Sequence, residues 1–221
     1  MYTKVCRPVM WLVRGDETVL GGEEGQAEFS LELGSFYLSR GCVTNEQFEA
    51  FRPGFERHEQ SSGDDHPAVG VCFRDAVAYA AWYAELAKKP FRLLTECEWE
   101  FAARAMGRKR YPWGDDPSGG VPYAWTRENS GGAPHAVDQV RPSKLGIYGM
   151  IGNVWEWTSS LHRPLPVEPD DGRDDLGVVG ARVARGGGYD DPVSSLSCGH
   201  RLALEEEVSR ADLGFRIARS L

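Results

Sequence analysis

Apolar residues alternate with polar ones, or run together, over residues 5–13 and 28–38, the two-residue period of strands. Gly21-Gly22 marks the turn between these two segments. Thr44 followed by Gln47 is a capping box, and it predicts a short helix running to about Phe51. Residues 52–70, rich in Gly, Asp, Ser and Pro, read as a loop. Residues 75–88 are alanine-rich and place Tyr79, Trp82, Tyr83 and Leu86 at helical spacing, so an amphipathic helix is expected there, stopping before Pro90. Thr95 with Glu98 is a second capping box. It opens a helix that turns Trp99, Ala102 and Ala103 toward the core and ends near Gly107. Beyond Arg110 the helical period is lost, and prolines and glycines punctuate residues 111–145, which predicts extensive ordered loops. Val183-Ala184-Arg185 and Phe215-Arg216-Ile217-Ala218 read as late strands, with Phe215 and Ile217 facing one side. The early and late strands together predict a sheet built from both ends of the chain.

Composition adds a real core to this picture. Hydrophobic residues make up 41% of the 221 positions, enough for one domain over residues 1–221. Seven tryptophans and 26 glycines point to rings packed against tight loops. The net charge of −8 argues against a nucleic-acid partner, which calls for a basic stripe. The dense basic run, residues 104–110, reads as the end of a helix facing its dipole. The acidic run, residues 168–175, reads as a solvated loop without EF-hand spacing. Cys6, Cys42, Cys72, Cys97 and Cys198 are widely spaced, with no C-x-x-C pair for zinc or thioredoxin-type chemistry. Cys72 and Cys97 are expected as small core residues, a usage that suits a reducing, cytoplasmic location. Met10-Trp11-Leu12-Val13 is too short for a membrane span, and no membrane partner is expected.

Five phrases occur in a fixed order: Thr44-Asn45-Glu46-Gln47-Phe48, the run from Arg92-Leu93-Leu94-Thr95 to Ala103-Arg104, Tyr111-Pro112-Trp113-Gly114-Asp115, Gly152-Asn153-Val154-Trp155-Glu156-Trp157-Thr158, and Arg185-Gly186-Gly187 with Gly214-Phe215-Arg216. Together they resemble the sulfatase-modifying-factor family, whose best-known member is the formylglycine-generating enzyme. The resemblance implies an α+β, C-type-lectin-like fold: a small twisted antiparallel sheet, two or three helices and long loops. It also brings two metal expectations. In family members with calcium, backbone oxygens at the positions of Gly152 and Val154 and the carboxylate at Glu156 serve as ligands. Here Gly149 supplies no side-chain oxygen, and the alternative is a tryptophan-rich core turn with Glu156 bonded to amides or arginine. The copper enzyme holds Cu(I) through two cysteines between Arg-Gly-Gly and Gly-Phe-Arg. Counting places Asp191 and Leu196 there, and a two-residue slip places Val193 and Cys198 there, so at most one thiolate is present. The family's iron enzymes need three histidines. His58, His66, His135, His162 and His200 carry no H-x-x-x-H-x-E run and read as surface or locally bonded side chains.

The resulting expectation is a non-catalytic binding module that requires no cofactor. Its ligand, a protein or a small molecule, would meet Tyr189, Asp190, Asp191, Ser194, Ser195, Ser197, His200 and Leu202. Tyr189 is the leading candidate for an exposed aromatic anchor, although the family resemblance, in which this position is often aromatic, also allows a ring packed inward. The retroelement variable proteins of the family display diversified residues in this region. The competing readings are an ordinary surface loop, and a divergent oxidoreductase or maturation enzyme of the same family.

Overall fold

The computed structural model describes all residues except 1–5, 24, 106 and 169. Met10–Val13 (β1), Phe36–Ser39 (β4), Ile217–Ser220 (β10) and Phe91–Leu93 (β5) form a four-stranded antiparallel sheet in that order. It joins both ends of the chain, as the strand pattern predicts. The strand expected over 5–13 begins only at Met10, and residue 5 lies outside the described residues. The segment 28–38 is two strands rather than one. Phe29–Glu32 (β3) pairs with Glu17–Leu20 (β2) as a hairpin around Gly21 and Gly22, both at positive φ, before β4 begins. A second four-stranded sheet runs β8 (Arg201–Leu204), β7 (Arg182–Arg185), β6 (Trp155–Leu161), β9 (Leu213–Phe215). The expected antiparallel pairing holds in every other named strand pair, and the parallel β6–β9 pair makes this second four-stranded sheet mixed.

Helix α1 (Asn45–Phe51) starts at the Thr44–Gln47 capping box, and α3 (Glu96–Ala103) at the Thr95–Glu98 box. Helix α2 (Phe73–Ala87) begins two residues before the expected start. Asp75 accepts from the Cys72 amide, which puts Cys72 at the half-buried N-cap rather than in the core, whereas Cys97 is buried. Helix α3 ends at Ala103, before the expected Gly107. Arg104 turns back to pair with Glu100 at 2.9 Å, so the basic run begins in a buried ion pair.

Trp99, Trp155 and Trp157 are buried, as their spacing requires. Phe215 and Ile217 share the cluster that α1 and α2 close, where Phe215 meets the rings of Phe48 and Tyr79. Apart from a 3-10 turn at Pro117–Gly120, residues 111–145 are held by turns and side-chain caps. Among the described residues, no helix is long and apolar enough to cross a membrane.

Candidate functional site

The site is set by β6 and β7, with Gly152 just before the first and Gly187 just after the second. Gly152 has φ +75°, and a Cβ there would stand 2.3 Å from the Trp125 carbonyl oxygen. Gly187 has φ +83°, and a Cβ would strike Leu196 at 2.2 Å. These two close approaches lay residues 187–198 against the start of β6.

The segment is pinned from below. The Asp191 carboxylate accepts from Trp155 Nε1 (2.9 Å) and from the Gly188 amide (2.8 Å). Tyr189 departs from its expected role. It is only 9% exposed, its hydroxyl donates to Gln60 Oε1 at 3.0 Å, and its carbonyl accepts from Ser130. Burial, then the nearby Asp212 and Asp190, pushes the Tyr189 hydroxyl pKa above its ordinary value. Ser197 is buried too, as are its neighbours Leu196 and Cys198. Leu196 and Cys198 join the core cluster of Trp99, Met150 and Ile151, with Leu196 seated against Gly187.

What faces outward is smaller than expected. Asp190, Ser194 and Ser195 are exposed, and His200 and Leu202 are half-buried. The Asp190 carbonyl accepts from Arg127 Nε at 2.8 Å, and Glu128 accepts from the Val193 amide. The His200 ring meets the edge of Trp155 with centroids 5.4 Å apart. Leu202 lies on β8 opposite Ala184. Asp190, Ser194 and Ser195 therefore share one loop, His200 joins it through Trp155, and Leu202 stands on the neighbouring strand. Gln60, Arg127, Glu128 and Ser130 complete this region. Only their loop composition marked them in the sequence, with no period to tie them to residues 189–195.

The Glu156 carboxylate does not fit a calcium role. It is fully buried, and Arg216 contacts both of its oxygens at 2.6 Å. Trp99 Nε1 donates at 2.6 Å and Cys42 at 3.1 Å. A divalent cation would have to displace a guanidinium from the same two oxygens. Gly152 and Val154 stay beside this pair as the core turn that the alternative reading describes. The same burial, followed by the Glu156 charge, raises the Cys42 thiol pKa.

Cys198 does not fit a copper role either. Its thiol is buried, and desolvation drives its pKa up, away from the thiolate a soft metal requires. Among the described residues no group of three or more His, Cys, Asp or Glu is arranged to hold a metal ion. The histidines are separated: His58 caps a 3-10 turn, His135 stacks on Trp125 at 3.9 Å, and burial followed by the nearby Arg201 lowers the His162 pKa.

A buried charge cluster lies under β7 and β8. Glu96 accepts from Arg173 (2.7 Å), Arg185 (3.2 Å) and Arg201 (2.7 Å). Glu100 accepts from Arg185 and Arg104. Arg173 comes from the acidic run expected to be solvated, and it is 3% exposed. Among the described residues of the run, Arg173 alone turns inward, because Glu96 gives it a buried partner and Asp171 holds its other side, while Glu168, Asp170, Asp174 and Asp175 stay exposed as expected.

These features define an α+β scaffold with short strands and long pinned loops, held together by buried arginine–carboxylate pairs. A model of the sulfatase-modifying factor enzyme 1-like domain matches residues 3–221, and the chain belongs to this family. It is 33% identical to the formylglycine-generating enzyme of Streptomyces coelicolor over 184 residues, which is 76% of this chain and 57% of that protein. It is 34% identical to the mouse inactive C-alpha-formylglycine-generating enzyme 2 over 170 residues, covering 70% and 49% of the two chains. The chain spans about half the length of the curated relatives it matches. Among solved structures, Treponema denticola variable protein 1 superposes with a TM-score of 0.89 at 20% identity, covering 99% of this chain and 97% of that one. PvdO from Pseudomonas aeruginosa gives 0.82 at 23% identity, covering 98% and 96%. At these identities the likeness is one of fold.

Proposed function

We propose that this chain is a non-catalytic recognition module that binds a protein or small-molecule ligand through the exposed part of residues 189–212. The observation that carries the reading is the contrast within this segment. Asp190, Ser194 and Ser195 are exposed, while Gly187, Tyr189, Leu196 and Cys198 beneath them are buried and the Asp191 carboxylate is hydrogen-bonded. Polar side chains on a backbone pinned from both sides lose little entropy on binding. The fold likeness to Treponema variable protein 1 supports a retroelement variable protein as the finer form of this reading. A mouse relative named as inactive is consistent with a family scaffold used without formylglycine chemistry. With a net charge of −8, the partner is proposed to be neither nucleic acid nor an anionic bilayer. A reducing, cytoplasmic setting remains part of the proposal, and no metal is needed at Glu156.

Two experiments test this. Copper-loaded protein is incubated with oxygen and a Cys-x-Pro-x-Arg peptide, and mass spectrometry is expected to find the peptide cysteine unchanged. A thiol-to-aldehyde product would overturn the non-catalytic reading. In the second, cross-linked species captured from host extract are compared between the native protein and a Ser194→Arg, Ser195→Arg double variant. Loss of the captured species is expected, and undiminished capture moves the binding surface elsewhere. Flanking DNA with a reverse transcriptase and a near-repeat of the 3′ coding segment would establish the variable-protein form.

A further inference from the structure

A cavity of about 220 Å³ lies apart from the 189–212 surface, between α2, β5, β6 and the loop carrying Asp174 and Leu176. Its walls are mostly apolar, with Val77, Ala81, Phe91, Leu93 and Leu176 among them. Two charged residues line it, Arg92 and Asp174. Arg92 is already neutralised, since its two terminal nitrogens hold the Glu98 oxygens at 2.6 and 2.7 Å. Asp174 has no ion-pair partner among the described residues. Its Oδ1 accepts from the hydroxyls of Ser159 and Ser160, both buried, and no hydrogen bond to its Oδ2 is found among the described residues. Leu176 stands at the cavity half exposed, at 50%, so an apolar lip adjoins the acid.

We infer that this cavity is a binding site for a primary ammonium group carried on a short apolar body. The walls take the apolar body, and the free Asp174 oxygen takes the charge. The volume is below the roughly 300–1,000 Å³ of pockets for drug-sized ligands, so the occupant is small. Asp174 is open to solvent on its outer side, and desolvation where it meets the cavity raises its carboxyl pKa above the ordinary value against the pull of the two serines, with Glu96 and Glu98 pushing the same way. A carboxylate in that setting gains from an arriving cation. The same chemistry is offered by a free small amine and by a lysine side chain of a partner.

The probe is 2-phenylethylamine, titrated near neutral pH into the 221-residue chain and followed by amide chemical shifts. Its neutral counterpart is 2-phenylethanol. The amine is expected to bind about tenfold tighter than the alcohol or better, the gain of a charge-assisted hydrogen bond. Shifts are expected to centre on Val77, Phe91 and Asp174. Asp174→Asn should erase the preference for the amine. Ala81→Phe, a substitution at an exposed helix position lining the cavity, should block both probes while the protein stays folded by near-ultraviolet circular dichroism. Nα-acetyl-lysine amide is the third arm. Binding of this probe assigns a partner's lysine as the source, and binding of phenylethylamine alone assigns a free amine. Equal binding of amine and alcohol, undiminished amine binding to Asp174→Asn, or the absence of a saturable shift with any amine overturns the site.

Discussion

Glu156, where the resemblance offers calcium as one reading and an arginine partner as the other, sits in a buried ion pair. Its carboxylate lies among Arg216, Trp99 and Cys42, with no exposed surface. Removing one partner of such a pair leaves the other charge buried alone, which costs about 3–5 kcal/mol. Glu156→Gln is therefore expected to lose about that much in urea unfolding, and a loss below about 1 kcal/mol would mean the guanidinium reaches water instead. Adding calcium should leave the urea midpoint of the native protein unchanged, since binding to the folded state alone would raise it. Cys198 makes a second argument at this scale. Burial raises its thiol pKa, so the thiolate stays scarce as pH increases. Iodoacetamide is expected to leave Cys198 unlabelled in the native protein even at mildly alkaline pH and to label it after unfolding in urea. Prompt native labelling, read by peptide mass spectrometry, would show an open thiol and revive a metal role.

At the scale of the element, the helix starts were legible because capping is local. Thr95 accepts from the Glu98 amide at 3.1 Å, and Glu98 Oε2 accepts from the Thr95 amide at 3.0 Å. Glu98 also clamps Arg92 of β5, so this cap ties a helix to a strand. Thr95→Ala is expected to cost about 0.5–2 kcal/mol, and Thr95→Ser much less, by urea unfolding. Equal losses in the two variants would show that the methyl group matters rather than the hydroxyl. The end of α3 was less legible. Arg104 caps the helix with its amide still bonded to the Glu100 carbonyl and its side chain held by Glu100 and the Gly21 carbonyl, and the chain leaves the helix at Ala105, whose φ is +50°.

Across the whole molecule, Glu96 joins four segments: α3, the loop at Arg173, β7 at Arg185 and β8 at Arg201. Three guanidinium groups converge on one carboxylate, with Glu100 and Asp171 sharing two of them. Glu96→Gln removes the central charge and should cost at least about 3–5 kcal/mol, a large part of a typical 5–15 kcal/mol total. Because the hub spans α3 and the mixed sheet, tryptophan fluorescence and far-ultraviolet circular dichroism should report one shared transition at lower urea. Separate transitions would show that α3 and the mixed sheet unfold independently of this hub.

The sequence by itself determined the local signals and the family. The capping boxes at Thr44 and Thr95 act within one helical turn, the tryptophan spacing in Gly152-Asn153-Val154-Trp155-Glu156-Trp157 follows the strand period, and a fixed order of short phrases carries the family. The sequence also excluded a pair of thiolates between Arg185 and Gly214, because a missing cysteine needs no structure to be seen. Only the tertiary structure decided what each polar side chain faces. Arg173 sits 77 residues from Glu96 and Arg216 sits 60 residues from Glu156, and no periodic pattern links partners that far apart. Tyr189 was expected to face outward from its place in a polar segment. It is buried because Gln60, 129 residues away, receives its hydroxyl, a pairing created by the meeting of two loops that have no period of their own.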